Sequence, residues 1–485
     1  MNRSVTVTAR TALGGKSGLV KVWAWVQLHP FLAVFIIAMF ARLVIIVLIG
    51  SYFTGRYVLD DETYNFMATD MAAGTTDTWD AFTHSLYWRT AAFLGPVTLI
   101  YKIFGPVKPI AQVFVALLGA GAALLALRLA MEFLERRLAI LVGVTVALLP
   151  SQAFWSSMLM KDAAVWLSLT GLALLVAVAG RSSGKRLVMC AVGVALVLAT
   201  LAFLREHTLV VATWAMMLGA VAGGRVQRVP RIAGAVLIGI TIPWFVGGIG
   251  PAGLGLVTDA GSLAERRFFN AVGANTAVID TSAQEAAEKE SGAAALETEA
   301  RDVSAHAEEL AAAAENAAAR RARALKLRAE RLEERVAQLR AEAEALRAAA
   351  AAAIADANAD VSLGDAPLDP NIVHIPRGLS VMLIEPLPVP FSGSVSLKLA
   401  RLESLLWYPL LALAMIGLWH ARRHMRVLVF PILVGGGVLF MYALTEGNVG
   451  TAHRHRGELV WVVVILAALG LSRVAERRRG RTSTG

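Results

Sequence analysis

The sequence predicts an all-α polytopic membrane protein with about ten transmembrane helices and an extracytoplasmic helical, coiled-coil insertion. Three observations lead there. The 485 residues are 57% hydrophobic and only 17% charged, with a mean hydropathy of +0.61, too apolar for a soluble chain of this length. Apolar runs of about 17 to 24 residues recur between positions 30 and 474, each long enough to cross a hydrocarbon core of about 30 Å as a helix. The basic residues behind the net charge of +10 sit in small clusters between these runs, not on one stripe, which marks topology and argues against a nucleic-acid partner.

Residues 1–29 form a basic tail expected in the cytoplasm, carrying Arg3, Arg10, Lys16 and Lys21. The first apolar run is too long for a signal-peptide core and lacks a clear cleavage site, so it is expected to be an uncleaved signal anchor. An N-terminal transmembrane domain is expected over 30–250, with spans near 30–53, 107–130, 138–157, 160–180, 187–204, 208–223 and 232–250. The segment 91–105 is apolar but short, interrupted by Gly95-Pro96 and closed by Gly105-Pro106, which predicts an interfacial or re-entrant helix. C-terminal helices are expected over 399–474, near 403–419, 427–445 and 457–474, followed by a basic tail at 475–485. With the N-terminus inside, every inner connection is basic: Arg128, Arg136 and Arg137; Arg181, Lys185 and Arg186; Arg225, Arg228 and Arg231; Arg422, Arg423 and Arg426. Both termini are therefore expected in the cytoplasm. Cys190, the only cysteine, lies inside an apolar run, so one chain can form neither a disulfide nor a thiolate metal site.

Between the two sets of spans, 251–398 is a polar insertion placed outside by this topology. Over 293–363 it has no Gly or Pro and is rich in Ala, Glu and Arg, which predicts long helix, with the heptad region at about 282–358. Leu296, Val303 and Leu310 recur at heptad spacing, as do Leu325, Leu332, Leu339 and Leu346, but the two registers differ by one residue. The slip near 316–323 fits either an antiparallel hairpin or one continuous helix. Such an insert reads as a solvated spacer or lid, or as a partner-binding or self-associating coiled coil.

Chemistry is concentrated in short outer segments. Asp60, Asp61 and Glu62 are consecutive acids just after the first span, with Tyr64 close behind. Their mutual repulsion must be relieved by a proton, a base or a cation, so they are candidates for a general base or for a divalent metal site. The bland alternative is an outward acidic loop. Asp162 opens the fourth span and is either an N-cap or a second active-site acid, and Lys161 beside it either contacts a phosphate or snorkels. Two outer connections carry bases against the charge rule: Arg205 with His207, and His453-Arg454-His455-Arg456 after a Gly-containing turn. Such groups suit an anionic headgroup, or else anchor the helices at the interface. Arg42 lies near the middle of the first span, where a charge marks an interior polar site or a structural partner within the bundle. Pro376-Arg377-Gly378 and the prolines at 386, 388 and 390 predict an extended loop before the eighth span, either lining a substrate cleft or serving as a plain connector.

The run Asp61-Glu62-Thr63-Tyr64 beyond the first span resembles the first outer loop of GT-C glycosyltransferases, the polyprenyl-phosphate-sugar-dependent class that includes protein O-mannosyltransferases and bacterial aminoarabinose transferases. The short helix ending Tyr101-Lys102-Ile103-Phe104-Gly105-Pro106 and the acid Asp162 also look like that family's pattern. The resemblance covers about 30–205; the later spans match in general layout and the insertion not at all. It implies transfer of a sugar from a lipid-phosphate carrier to a hydroxyl acceptor of the cell envelope, on the extracytoplasmic face of a prokaryotic plasma membrane, usually with inversion. On that carry-over Asp61 is the base, Glu62 orients it or the acceptor, and Asp162 is the second acid. Asp60 departs from the simplest acidic pair and leaves open which carboxylate acts. Asp60, Tyr64, Lys161, Arg205, His207, His453, Arg454, Arg456 and Arg42 are the expected substrate or phosphate contacts, and Asp60, Asp61 and Glu62 the expected ligands if a divalent metal assists. Two rival classes remain: a transporter or flippase for a lipid-linked substrate, disfavoured by midplane charge nearly limited to Arg42, and a non-enzymatic envelope assembly protein acting through the coiled insert.

Overall fold

The chain is described by a computed structural model over residues 18–52, 59–75, 90–222, 274–362, 375–389, 395–445 and 449–482. Among these residues there is no strand, and the protein is an all-α polytopic membrane protein. In chain order the helices are α1 Gly18–Leu28, α2 Pro30–Tyr52, α3 Leu59–Ala73, α4 Ala91–Phe104, α5 Lys108–Ala130, α6 Arg136–Leu148, α7 Pro150–Trp155, α8 Asp162–Ala179, α9 Gly184–Ala202, α10 Glu206–Ala222, α11 Ala274–Glu315, α12 Ala319–Ser362, α13 Ile375–Leu383, α14 Val395–His420, α15 Met425–Thr445 and α16 Val449–Thr482.

Among the described residues, seven helices are long and apolar enough to cross a bilayer: α2, α5, α8, α9, α14, α15 and α16. At 17 residues, α10 is at the short end of a crossing. The span expected at 232–250 lies outside the described residues. The span expected at 138–157 is corrected: α6 has only 13 residues, Leu149 leaves helical geometry, and Pro150, which has no N–H to give a preceding carbonyl, opens the separate short α7. The apolar residues on both sides of Pro150 hid this break from the hydropathy pattern. Residues 151–160 are buried in the bundle and not exposed as an outer loop. The expected short helix at 91–105 is α4, whose 14 residues rise only about 21 Å.

Small residues set the spacing of the bundle, as in membranes generally, where packing and not water drives helix association. Gly417 on α14 faces the Leu466 carbonyl of α16, and Gly470 faces the Leu413 carbonyl, each too close to admit a Cβ. Alanines of α5, including Ala120, Ala123 and Ala126, are buried against α2 and α8. Large apolar side chains such as Phe40, Val47, Met189, Met415 and Trp419 instead point outward, the pattern expected of a lipid-facing perimeter.

Charges separate to two ends. At one end Arg128 and Arg181 both pair with Glu132, Arg136 donates to the Leu28 carbonyl at 3.3 Å, and the His424 ring lies 5.7 Å from Phe133. The opposite ends of the same helices carry the groups described below.

Within the insertion, α11 and α12 fold back on each other, so the hairpin and not a continuous helix is formed. Antiparallel register follows from Glu297 pairing with Arg347 at 2.6 Å and Glu299 lying 3.8 Å from Arg335. Ala286, Ala293, Ala300, Ala307 and Ala314 are buried on α11, facing Ala329, Val336, Ala343 and Ala350 on α12. The one-residue slip gives the reason: it would rotate the apolar stripe of a continuous helix by about 100°, whereas reversal at 316–318 brings the two stripes together.

Candidate functional site

The three acids open α3, where carboxylates favour the positive end of the helix dipole. Successive helical residues point about 100° apart, so each acid meets a different surrounding. Asp60, still 46% exposed at its side chain, pairs with Arg454 Nη1 at 2.6 Å. Asp61 is buried: Lys108 Nζ lies 2.6 Å from Oδ2, and the Leu159 backbone N–H donates to Oδ1 at 2.6 Å. Glu62 shares the same lysine at 2.7 Å. Burial, outweighing Lys108 and the Leu159 N–H, raises the Asp61 carboxyl above the ordinary range. The repulsion foreseen between the acids is thus relieved by bases. The three do not converge as a metal site, and no group of three His, Cys, Asp or Glu side chains among the described residues is placed to hold a metal ion.

Tyr64 packs edge-on against Phe93 with ring centroids 5.5 Å apart, and burial raises its hydroxyl pKa. From the next position Asn65 accepts from Tyr101 Oη at 2.6 Å, which ties α3 to α4.

Asp162, with no exposure, does not act as an N-cap: it is the first residue of α8 and makes no capping bond. Its Oδ1 instead accepts from Arg205 Nη2 at 2.8 Å, and its Oδ2 lies 3.7 Å from Arg454 Nε. Neither Oδ2 nor Arg454 Nε has a hydrogen-bond partner among the described residues. Arg205, only 5% exposed, uses its other arm on Tyr442 Oη at 3.0 Å and on Glu458. Glu458 also accepts from Thr208 Oγ1 at 3.0 Å and from Tyr442. His207 Nε2 lies 2.9 Å from Tyr442 Oη, and the His455 ring stacks on Tyr442 at 4.4 Å. Lys161 sits among Asp60, Asp162, Arg205 and Arg454. Burial first, and then Arg205, lower its pKa to about 7.

Three expected contacts lie elsewhere. Arg42 is buried and donates to Ser156 Oγ at 2.7 Å, Ala38 O at 2.9 Å and Ala147 O at 3.0 Å, a structural clamp from α2 onto the broken segment 149–157. His453 lies 3.7 Å from Glu403, which also accepts from the Ser151 hydroxyl at 2.8 Å. Arg456 donates to the Met382 carbonyl at 2.8 Å and to those of Val381 and Glu385, with its guanidinium 5.3 Å above the Trp407 ring. It anchors α13, which is a helix where an extended connector was expected. His453 and Arg456 part from Arg454 because 453–456 lie in the opening turns of α16, not in a loop, and a helix sends consecutive side chains in different directions. Arg454 and Glu458, four apart, share the face that meets Asp60 and Arg205.

Lys108, Tyr442, Glu403 and Glu458 were not among the expected residues. Buried Glu403, Glu458 and Arg401 also correct the expectation that charge inside the bundle is nearly limited to Arg42. Glu458 carried a signal, an ionisable residue against an apolar run. Lys108, a base on the face meant to lack them, carried the same signal as Arg454. Tyr442 carried none.

The site and fold thus define an integral membrane protein with a buried network of acids and bases at one end of its helix bundle. No protein-family model matches the sequence, and no curated protein matches it. Among solved structures, the archaeal oligosaccharyltransferase AglB from Archaeoglobus fulgidus, in complex with an inhibitory peptide and a dolichol-phosphate, is similar at 13% identity and a TM-score of 0.44. The alignment covers 95% of this chain and 52% of that one, so the chain spans about half the length of the structure it matches.

Proposed function

We propose that the chain is a membrane glycosyltransferase that moves a sugar from a polyprenyl-phosphate carrier to an acceptor hydroxyl of the cell envelope, with inversion, on the extracytoplasmic face of the plasma membrane. The observation that carries this reading is the meeting of Asp60, Asp61 and Asp162 with Lys108, Lys161, Arg205 and Arg454 at one end of the bundle. The clustering of basic connections at the other end supports cytoplasmic termini and an outward-facing site.

The chemistry asks for both kinds of group. The acceptor oxygen bonds to the anomeric carbon as the bond from that carbon to the phosphate oxygen breaks, its electron pair leaving on the phosphate. The hydroxyl proton goes to Asp61, whose raised proton affinity suits a base and whose carboxyl is held in place by Lys108 and the Leu159 N–H. Glu62, on the same lysine, orients it. Negative charge growing on the departing phosphate is met by Arg454 and Lys161. The cluster holds five carboxylates (Asp60, Asp61, Glu62, Asp162, Glu458) against two lysines and two arginines (Lys108, Lys161, Arg205, Arg454), so a proton added to Asp61 moves it toward balance. These bases take the place of a divalent metal in this scheme, and transfer is expected to survive a chelator.

The test is transfer from a labelled polyprenyl-phosphate sugar in membranes. Wild type should form product, whereas Asp61→Asn and Asp162→Asn should each lose about 10²-fold or more. A wild type inactive with every common carrier-linked sugar, or two fully active variants, would sink the assignment and leave the flippase and assembly readings.

A further inference from the structure

Glu458 has no exposure, yet its two oxygens are engaged from three elements: Arg205 in the turn before α10, Thr208 on α10 and Tyr442 on α15. It sits on α16 one turn after Arg454, so a single helix face presents a base to Asp60 and a carboxylate to Arg205. Arg205 is consequently held between two acids, Glu458 on one arm and Asp162 on the other, and its charge is already matched before a ligand arrives. Arg454 differs: of its two acids, Asp60 stands at the exposed rim and Asp162 lies 3.7 Å from its Nε, which has no hydrogen-bond partner among the described residues.

We propose that Glu458 is a positioning residue for the transfer. It fixes Arg205 against Asp162 and withholds the charge of Arg205 from the donor phosphate, which is left to Arg454 and Lys161. This rests on the glycosyltransferase reading and divides the labour of the bases, so that Arg205 shapes the acid while the other two take the leaving group. Tyr442 completes the clamp, because its hydroxyl accepts from Arg205 and donates to Glu458.

A carboxylate that merely held helices together would, on neutralisation, reduce the amount of folded protein and leave the kinetics of the remainder unchanged. A positioning carboxylate makes a different demand. Glu458→Gln keeps shape and most hydrogen bonds but frees the charge of Arg205 to swing toward the phosphate. Donor binding should then tighten while the acid loses its alignment, so KM for the donor falls several-fold and kcat falls about 10²-fold. Glu458→Asp, which retains the charge one methylene shorter, should recover part of kcat and a wild-type KM. Binding of the sugar-free carrier phosphate to purified full-length protein is measured in parallel, and Glu458→Gln should bind it more tightly.

With an active wild type, unchanged kcat and KM in Glu458→Gln, or a raised KM with unchanged kcat, overturns the positioning role and leaves the enzyme reading intact. An inactive wild type overturns the enzyme reading. The carrier-binding comparison then decides the charge-withholding part alone: tighter binding by Glu458→Gln supports it, and equal or absent binding overturns it.

Discussion

Lys161 makes the sharpest demand at the residue scale. Its pKa, lowered to about 7 by burial and by Arg205, means that the free protein carries the ammonium below that pH and the neutral amine above it. A donor phosphate needs the charged form, so Lys161 should give kcat/KM for the donor a basic limb that declines as pH rises through about 7. Lys161→Arg, charged throughout, should abolish the decline. Asp61 acts in the opposite sense. A carboxyl with raised pKa is protonated at low pH and gains base strength as pH rises, so it governs the acidic limb, which Asp61→Asn should remove together with about 10² to 10⁴ of the rate. The acids were legible one by one, because consecutive carboxylates and an acid at a span boundary both break the local charge pattern. Their partners were not, because Lys108 lies 47 positions from Asp61 and Arg454 lies 394 from Asp60, and no local pattern links such pairs.

The element that decides the site is the broken segment α6–α7. It lowers residues 151–160 into the bundle, places the Leu159 N–H on Asp61 and starts α8 with a buried acid. Arg42 and Gly119 hold it there. A Cβ at Gly119 would stand 2.6 Å from Ser156 Cβ and 2.9 Å from Arg42 Nε, inside normal contact distance. Gly119→Ala should therefore destabilise the protein by about 1–3 kcal/mol, seen as a lowered unfolding midpoint in detergent, and should weaken transfer as well. An unchanged midpoint and activity would mean that the segment is not clamped as described. Hydropathy saw one span here because Leu, Val, Ala, Phe and Trp continue through the break, and the local hints were Pro150 and the polar Ser151-Gln152 behind it. The opening turns of α14 and α16 were missed for the opposite reason: polar residues at their starts placed the predicted boundaries late, although both helices begin eight residues earlier, at Val395 and Val449.

Across the whole molecule, charge is sorted by end, and this gives a sidedness prediction. With Cys190 replaced, a single cysteine at Glu308 on the hairpin should react with an impermeant maleimide in intact cells, and one at Arg181 only after lysis. The reverse pattern would invert the topology. The hairpin buries its alanine seam within itself, so excising 282–358 should leave a bundle that inserts and keeps part of its transfer activity. Complete loss of activity with normal insertion would instead favour an assembly role for the insert. The chelator test is also global, because each carboxylate of the cluster is already paired with a base: activity that vanishes with a chelator and returns with a divalent ion would require the acidic cluster to rearrange around it.

The sequence by itself determined the membrane class, the all-α architecture, the basic end and the long helices of the insertion. Each of these follows from composition or from periodicity over neighbouring residues, which any helix in a bilayer must obey. Tertiary structure alone decided that the insertion is a hairpin, that the third expected span is broken, and which bases meet which acids. Those outcomes depend on side chains tens to hundreds of positions apart competing for the same buried partner. Arg456 and Arg454 show the difference: two residues apart and chemically identical, they part because α16 turns one toward the carbonyls of α13 and the other toward Asp60.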